Sequence, residues 1–282
     1  MLPAQLSPAR ISHSALRAVV ERVRAADIAR PEERRLRAAM TSVVFTTVQS
    51  AQHAGRGFGY TNCVLSARIG GAVGSCAVEP GRLEPGSVQD LVGRSVAELL
   101  EHEDPAVRVA VLDAYLADLT PHAGHPRART VRIPGGTSLE KSMARARAVA
   151  ELVPAGGSVA VIGVVNSLLA ALRERGASPV PCDLKGGRTE WGEPVLLDHR
   201  EAISGAQAVL ASGMVLGNGT FDEIAGLCRE RGLPLVMFAQ TGAAVLREMV
   251  GAEVRALSAE PYPFFWLSGD GTDIHCYAGE PR

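Results

Sequence analysis

The stretch SVAVIGVVNSLLAALRER, residues 158 to 175, decides the fold. Its first five residues, Ser158 to Ile162, form a short apolar run of the kind that makes a strand buried on both faces. Gly163 then permits a tight turn, and Ser167 to Arg175 switches to helical spacing. The pattern repeats downstream. Ser178 to Cys182, Ala208 to Ala211, Leu233 to Phe238 and Val254 to Leu257 read as strands. Phe221 to Arg231 and Ala243 to Val250 read as helices. Strands alternating with helices predict parallel strands joined by right-handed crossovers. The C-terminal part is therefore expected to be a Rossmann-like, doubly wound parallel sheet, and the chain as a whole α/β.

Upstream the order differs. Ala15 to Ala26 places Leu16, Val19, Val20 and Val23 on one helical face. Thr41 to Val48, Tyr60 to Ile69 and Ala72 to Val78 read as strands, with glycines at 55, 57, 59, 70 and 71 marking turns. Ser87 to Leu100 and Ala106 to Leu119 read as helices. A helix, strands and then helices predict a small α+β unit. Thr120 to Pro134, with its prolines, histidines and arginines, reads as the connection between parts. Helical spacing resumes over Leu139 to Leu152, with Ser138 as a candidate cap. The expected domains are residues 1–125 and 126–282.

The bulk composition narrows the function. A chain of 282 residues with 46% apolar content can bury two cores, and 4% aromatics means those cores are mostly Ala, Val and Leu. Basic and acidic residues balance, 29 against 30, so nothing pulls the chain toward nucleic acid. The basic run Arg22, Arg24, Arg30, Arg34, Arg35 and Arg37 is broken by Glu21, Asp27, Glu32 and Glu33, the pattern of a solvated helix face. No segment approaches the roughly 20 apolar residues of a membrane span. Met1 to Arg10 lacks the apolar core of a secretory signal. Five scattered cysteines point to reduced thiols and a cytoplasmic address. A homodimer is expected on frequency alone.

In a doubly wound sheet, ligands bind outside the carboxyl ends of the strands. Gly163, Asn166 and Ser167 follow the first strand and precede a helix N-terminus, whose free N–H groups suit a polar ligand. The full G-x-G-x-x-G is absent, which disfavours a pyrophosphate and makes an NAD-dependent dehydrogenase the weakest enzyme reading. Asp183 ends the second strand about 20 residues on, where a carboxylate commonly accepts from ribose hydroxyls. Lys185, Arg188 and Trp191 follow in a glycine-rich loop, where an aromatic ring suits adenine stacking. After the third strand come Ser212 and Gly213, then Asn218 between two glycines, then Thr220-x-x-Glu223 with the spacing of a capping box. Gln240 and Thr241 follow the fourth strand and suit orientation of a substrate. Each of these also serves as an ordinary turn or cap. Glu260 to Trp266 concentrates aromatic residues, as a ligand wall or as a seam that docks the tail. There is no H-E-x-x-H, no C-x-x-C and no G-x-S-x-G elbow, so no metal ligand set or nucleophile is assigned.

Several segments resemble one family. These are Gly59-Tyr60-Thr61, GRSVAELL at 93–100, Ala110 to Leu116, and VLASGMVLGNGTFDEI at 209–224. The sequence resembles the heavy-metal chelation family, a domain of unknown function behind an enolase-N-terminal-like domain. The resemblance implies an enolase-N-terminal-like α+β domain, a Rossmann-like domain and a site at their junction, with a role around metals or metal chelates. Asn218, Gly219 and Thr220 match its N-G-T motif; Gly163 and Asp183 fall at its first turn and second strand end. Where relatives carry Gly-Pro-Ser-Thr, this chain has Ala239-Gln240-Thr241-Gly242.

Two functions follow as expectations. The first is an enzyme that binds S-adenosylmethionine and processes an amino-acid-like substrate. Asp183 would hold the ribose, Asn218, Thr220 and Gln240 would orient polar groups, and Tyr60 or Asn62 would close the site. The second is a binding protein for a metal ion or chelate. There His53, His122, His125 or His275 would supply ligands, with Cys63 or Cys76.

Overall fold

The computed structural model describes residues 14–29, 35–52, 57, 59–79, 81, 85–262 and 268–279. Two sheets organise them. Strands β1 (Thr41–Gln52), β2 (Gly59–Ile69) and β3 (Ala72–Val78) form an antiparallel sheet in that order. Strands β4 (Arg129–Ile133), β5 (Ser158–Ile162), β6 (Ser178–Cys182), β7 (Ala208–Ser212), β8 (Leu235–Ala239), β9 (Ala256–Ala259) and β10 (Thr272–Ala278) form a second sheet. Its order is β4-β10-β9-β8-β7-β5-β6, parallel from β9 to β6. β10 runs antiparallel between β9 and β4. Taken by chain order, the five parallel strands lie 2-1-3-4-5, the flavodoxin-like variant of the doubly wound sheet.

The sheet is covered on both faces. Val159 and Val161 of β5 pack toward α5 (Ser138–Ala150) and α6 (Asn166–Glu174). Burying Leu168, Leu169 and Leu172 of α6 there contributes about 1.5–3 kcal/mol each relative to exposure. Ala160 and Ile162 pack on the opposite face, toward α9 (Phe221–Arg231) and α10 (Ala243–Arg247). That face is continuous with the core of the small sheet through α4 (Pro105–Leu119), so one apolar cluster runs from Leu65 to Met237. Glycine makes the crossing of α4 over β3 possible. A Cβ on Gly74 would lie 1.9 Å from the Ala114 nitrogen.

Helices α4 and α10 hold each other reciprocally. Asp113 of α4 accepts the amide of Ala244 at 2.7 Å and the amide of Ser75 in β3 at 2.9 Å. Arg247 of α10 donates to the Leu116 carbonyl at 3.2 Å and the Thr120 carbonyl at 2.5 Å, both at the end of α4. Each charge sits on the helix end whose dipole it complements.

The structure departs from the sequence expectations in several elements. Ser87 to Leu100 is not one helix. A 3₁₀ turn over Pro85–Leu91 is separated from the short helix α3 (Val96–Leu99) by Gly93, whose φ is +77°. Thr137, not Ser138, caps α5, with Glu140 completing the capping box. The expected connection contains β4, an edge strand whose basic, largely exposed side chains hide its pattern. β10 and two short helices, α7 (His199–Ser204) and α8 (Met214–Gly217), were not anticipated either. β8 starts two residues late because Pro234 has no N–H for the ladder. The helix before it is as expected, and α1 (Ser14–Ala29) is longer by a few residues and is followed by the short helix α2 (Arg35–Ala38). From the basic run, Arg24 pairs with Glu101 and Arg22 reaches the Glu248 carbonyl; Arg30 and Arg34 lie outside the described residues. Among the described residues no helix is long and apolar enough to cross a membrane.

Candidate functional site

The chain leaves β5 outward to β6 and returns to β7, so the strand order reverses between β5 and β7. Such a reversal opens a crevice at the carboxyl ends of the two strands. Gly163 follows β5 and Ser212 ends β7, face to face. Gly163 has φ +89°, and a Cβ there would meet the Ser212 Cβ at 2.7 Å. Above them opens a cavity of about 690 Å³, inside the 300–1,000 Å³ range typical of ligand pockets. Strand-end residues form its floor. Gly59 to Asn62 of β2 and Ala77 of β3 reach over it from the small sheet, and Ser142 and Arg145 of α5 close one side.

Nine residues expected at the site line this one cavity: Tyr60, Asn62, Gly163, Asn166, Ser167, Asp183, Ser212, Gly213 and Gln240. Asn218 and Thr220 do not. They line a neighbouring pocket of about 40 Å³ together with His199. The expected capping box is not formed. Thr220 has helical angles, φ −88° and ψ −7°, so its hydroxyl is not aimed at the third helical amide. It donates instead to Asn218 Oδ1 at 2.8 Å, and Asn218 Oδ1 also accepts the Thr220 amide at 3.1 Å. Glu223 turns away to pair with His199 at 3.1 Å and with Arg200.

Local bonds set the remaining side chains. Asp183 Oδ2 accepts the Val164 amide at 3.2 Å, and its Oδ1 accepts the Lys185 amide at 3.0 Å, so the carboxylate ties two loops together. Lys185 Nζ donates across the cavity to the Thr61 carbonyl at 3.2 Å. The Ser142 and Ser167 hydroxyls bond at 2.9 Å. Trp191 lies under Arg173, whose guanidinium carbon is 4.1 Å from the ring centroid; it does not line the cavity. Of the aromatic segment, Pro263 to Trp266 lie outside the described residues.

The sequence did not single out the charged pair at the cavity wall. Arg145 Nε donates to Glu260 Oε1 at 2.9 Å, with the Glu260 side chain fully buried. Glu260 also accepts from Ser258 Oγ and from Gln240 Nε2, each at 3.1 Å. The Arg145 guanidinium lies over the Phe238 ring, 4.9 Å from its centroid, a cation–π contact. Burial pushes the Tyr60 phenol above its ordinary pKa, and the Arg145 charge pulls it partly back. One signal for Arg145 was present. It stands three residues after Ser142 and four before Val149, on the face of α5 that turns inward.

The fold resembles that of two solved proteins. A DUF364 family protein of unknown function from Desulfitobacterium hafniense superposes with a TM-score of 0.56, over 84% of this chain and 93% of its own, at 12% identity. A second DUF364 family protein of unknown function, from Pyrococcus horikoshii, gives 0.54 over 82% and 92%, at 14% identity. At such identities the likeness establishes the fold alone. No family model and no curated relative matches the sequence.

Three histidines gather away from the cavity. His122 Nδ1 is 2.8 Å from the Tyr277 hydroxyl, and the His122 ring stacks on His275 with centroids 6.1 Å apart. His125 meets the Tyr277 ring edge-on at 5.2 Å. Burial pushes His122 down to about 3. Cys63 and Cys76 lie on β2 and β3, and His53 lies outside the described residues. Among the described residues no group of three or more His, Cys, Asp or Glu is arranged to hold a metal ion.

Proposed function

We propose that this protein is an enzyme of small-molecule metabolism that binds an adenosyl ligand, with S-adenosylmethionine the leading candidate, and acts on an amino-acid-like substrate. One observation carries the proposal. The cavity lies at the switch point of the parallel sheet, and Tyr60 and Asn62 of the small sheet reach over it. Both parts of the molecule therefore contribute to one site. Each Asp183 oxygen receives one amide bond, which leaves acceptor capacity for ribose hydroxyls. Asn166 and Ser167 begin α6, whose N-terminus has no side-chain cap. Without the three-glycine fingerprint, the loop supports a nucleoside better than a pyrophosphate. S-Adenosylmethionine supplies a sulfonium from which a carbon group can be transferred. The side chains here would bind it, orient the acceptor and exclude water.

Calorimetric titration with S-adenosylmethionine, with NAD and zinc in parallel, tests this. Micromolar binding of S-adenosylmethionine alone is the expected result. Asp183→Ala is expected to weaken it about tenfold, the effect of one charged hydrogen bond. Unchanged affinity removes the ribose role from Asp183. A second reading is the metal or metal-chelate binding that the heavy-metal chelation resemblance implies; His122, His125 and His275 are its candidates, although among the described residues they are not arranged as a three-ligand set. Elemental analysis of protein purified without chelators or a metal-affinity tag tests it. Metal well below one per chain counts against it.

A further inference from the structure

We propose that Arg145 is the receptor for the carboxylate of an α-amino acid group on the ligand, with Gln240 receiving the adjacent ammonium. This rests on the cavity being the ligand site described above.

The argument starts from unused hydrogen-bonding capacity. A guanidinium carries five N–H donors in a planar fork. Arg145, at 5% exposure, uses only Nε, toward Glu260. Its Nη1 and Nη2 make no hydrogen bond to the described residues, and the residue lines the cavity. Phe238 covers one face of the fork and Glu260 fixes its inner edge. The outer edge is left, held rigid, with the two-pronged geometry that matches a carboxylate. Glu260 does not compete for that role. It is fully buried and already accepts from Arg145, Ser258 and Gln240.

Gln240 supplies the opposite need. Its Nε2 donates to Glu260, which turns Oε1 the other way. Oε1 is buried without a partner. A buried acceptor left unmet is costly, and a ligand N–H would meet it. Because Oε1 is closed off from solvent, that contact requires rotation of the terminal amide torsion, which gives up the Nε2 bond to Glu260 in exchange for the ammonium. Arg145 and Gln240 bond the two oxygens of the same Glu260 carboxylate, so the open donors and the unmet acceptor belong to neighbouring side chains, the complement of an aminocarboxylate.

Charge balance points the same way. Arg145, Lys185 and Arg188 at the wall are countered by Asp183 and Glu190, with Glu260 behind. A zwitterion leaves that balance intact; a di- or triphosphate overturns it.

Four probes in calorimetric titration of the full chain separate the possibilities. They are S-adenosylmethionine, 5′-methylthioadenosine, L-methionine and its deamino analogue 4-(methylsulfanyl)butanoate. S-Adenosylmethionine should bind about 10- to 100-fold tighter than methylthioadenosine, the range for hydrogen bonds to a charged group. L-Methionine should bind better than the analogue without nitrogen. Arg145→Lys keeps a cation beside Glu260 but removes the planar fork. It should cost about tenfold or more on both amino-acid probes and leave methylthioadenosine unchanged. Gln240→Leu should weaken L-methionine and leave the deamino analogue unchanged, and thermal melts confirm that both variants fold. Equal binding of the two adenosyl probes, indifferent to Arg145→Lys, overturns this inference and leaves the adenosyl reading standing. Binding of L-methionine without either adenosyl probe supports it and overturns the adenosyl reading. No binding by any amino-acid probe overturns it.

Discussion

Asp113 and Arg145 are buried to nearly the same extent, at 6% and 5% exposure, and their surroundings treat them differently. Asp113 sits at the junction of the two sheets, and both carboxylate oxygens are taken by backbone amides. Arg145 sits at the cavity wall with one donor engaged and an open outer edge. Burying either charge is expensive in the absence of partners. At the junction the demand is met within the protein, which locks α4, β3 and α10 together. At the cavity it is met on one side only. How fully a buried charge is satisfied thus separates the junction, where every demand is met within the protein, from the cavity wall, where donors are left open.

The largest effect should come from breaking the cavity pair. Arg145→Met strands the Glu260 carboxylate where its side chain has no exposure, and such removal typically costs about 3–5 kcal/mol. Urea denaturation measures it. Adding Glu260→Met should recover most of the loss, because the stranded charge is then gone. A single-variant cost under about 1 kcal/mol would show that the pair is solvated in solution, weakening the contrast with Asp113.

Asp113→Asn comes next. An amide can accept only one of the two backbone N–H groups and sets its own NH₂ against the other, a cost of about 2–4 kcal/mol. S-Adenosylmethionine affinity measured on the folded fraction should not change. The pH profile sharpens the comparison. Burial pushes Asp113 up to about 6, while the amides of Ser75 and Ala244 pull it partly down. Its folded pKa therefore lies above its unfolded value of about 3.8. Stability from this group is fully present below about pH 3.8 and is lost as pH rises through about 6, on the order of 3 kcal/mol. His122 acts in the opposite sense. With its pKa lowered, it contributes stability above about pH 6.5 that is lost on acidification toward about 3. The difference between wild type and Asp113→Asn cancels His122 and should narrow from pH 4 to pH 7. A flat difference would mean that the carboxylate stays ionised throughout.

The same contrast explains what could be read from the sequence. The parallel strands announce themselves because β5, β7 and β8 are buried on both faces, and a run such as Ser158 to Ile162 has few other uses. The strand ends were legible for the same reason, and with them Gly163, Asp183, Ser212 and Gln240 at the cavity. Arg145 and Glu260 stand 115 residues apart, and nothing local to either reports the other. Asp113 reads as one of three charged residues in a mostly apolar helix; its partners come from β3 and α10. The edge strand β4 and its neighbour β10 were missed because neither is a continuous buried run; exposed and half-buried residues interrupt both. Asn218 and Thr220 were recognised as a motif but placed one pocket away from the cavity, since spacing alone does not give the backbone angles at Thr220.

That motif gives the smallest and most local prediction. If Thr220 and Glu223 formed a reciprocal cap, a double-mutant cycle between Thr220→Ala and Glu223→Ala would show coupling of about 1 kcal/mol. In this structure Glu223 pairs with His199 and Arg200 at 39% side-chain exposure, where ion pairs contribute between roughly 0 and 1 kcal/mol. The Thr220–Glu223 coupling should therefore fall within about 0.3 kcal/mol of zero, the ordinary error of additivity. The cycle between Thr220→Ala and Asn218→Ala should instead show about 0.5–1 kcal/mol, because the Thr220 hydroxyl donates to Asn218 Oδ1. Asn218→Ala should also leave S-adenosylmethionine affinity unchanged, since Asn218 lines the small pocket and not the large one. A tenfold loss on that substitution would join the two pockets into one functional site and move the N-G-T motif from shaping the helix entry to recognising the ligand.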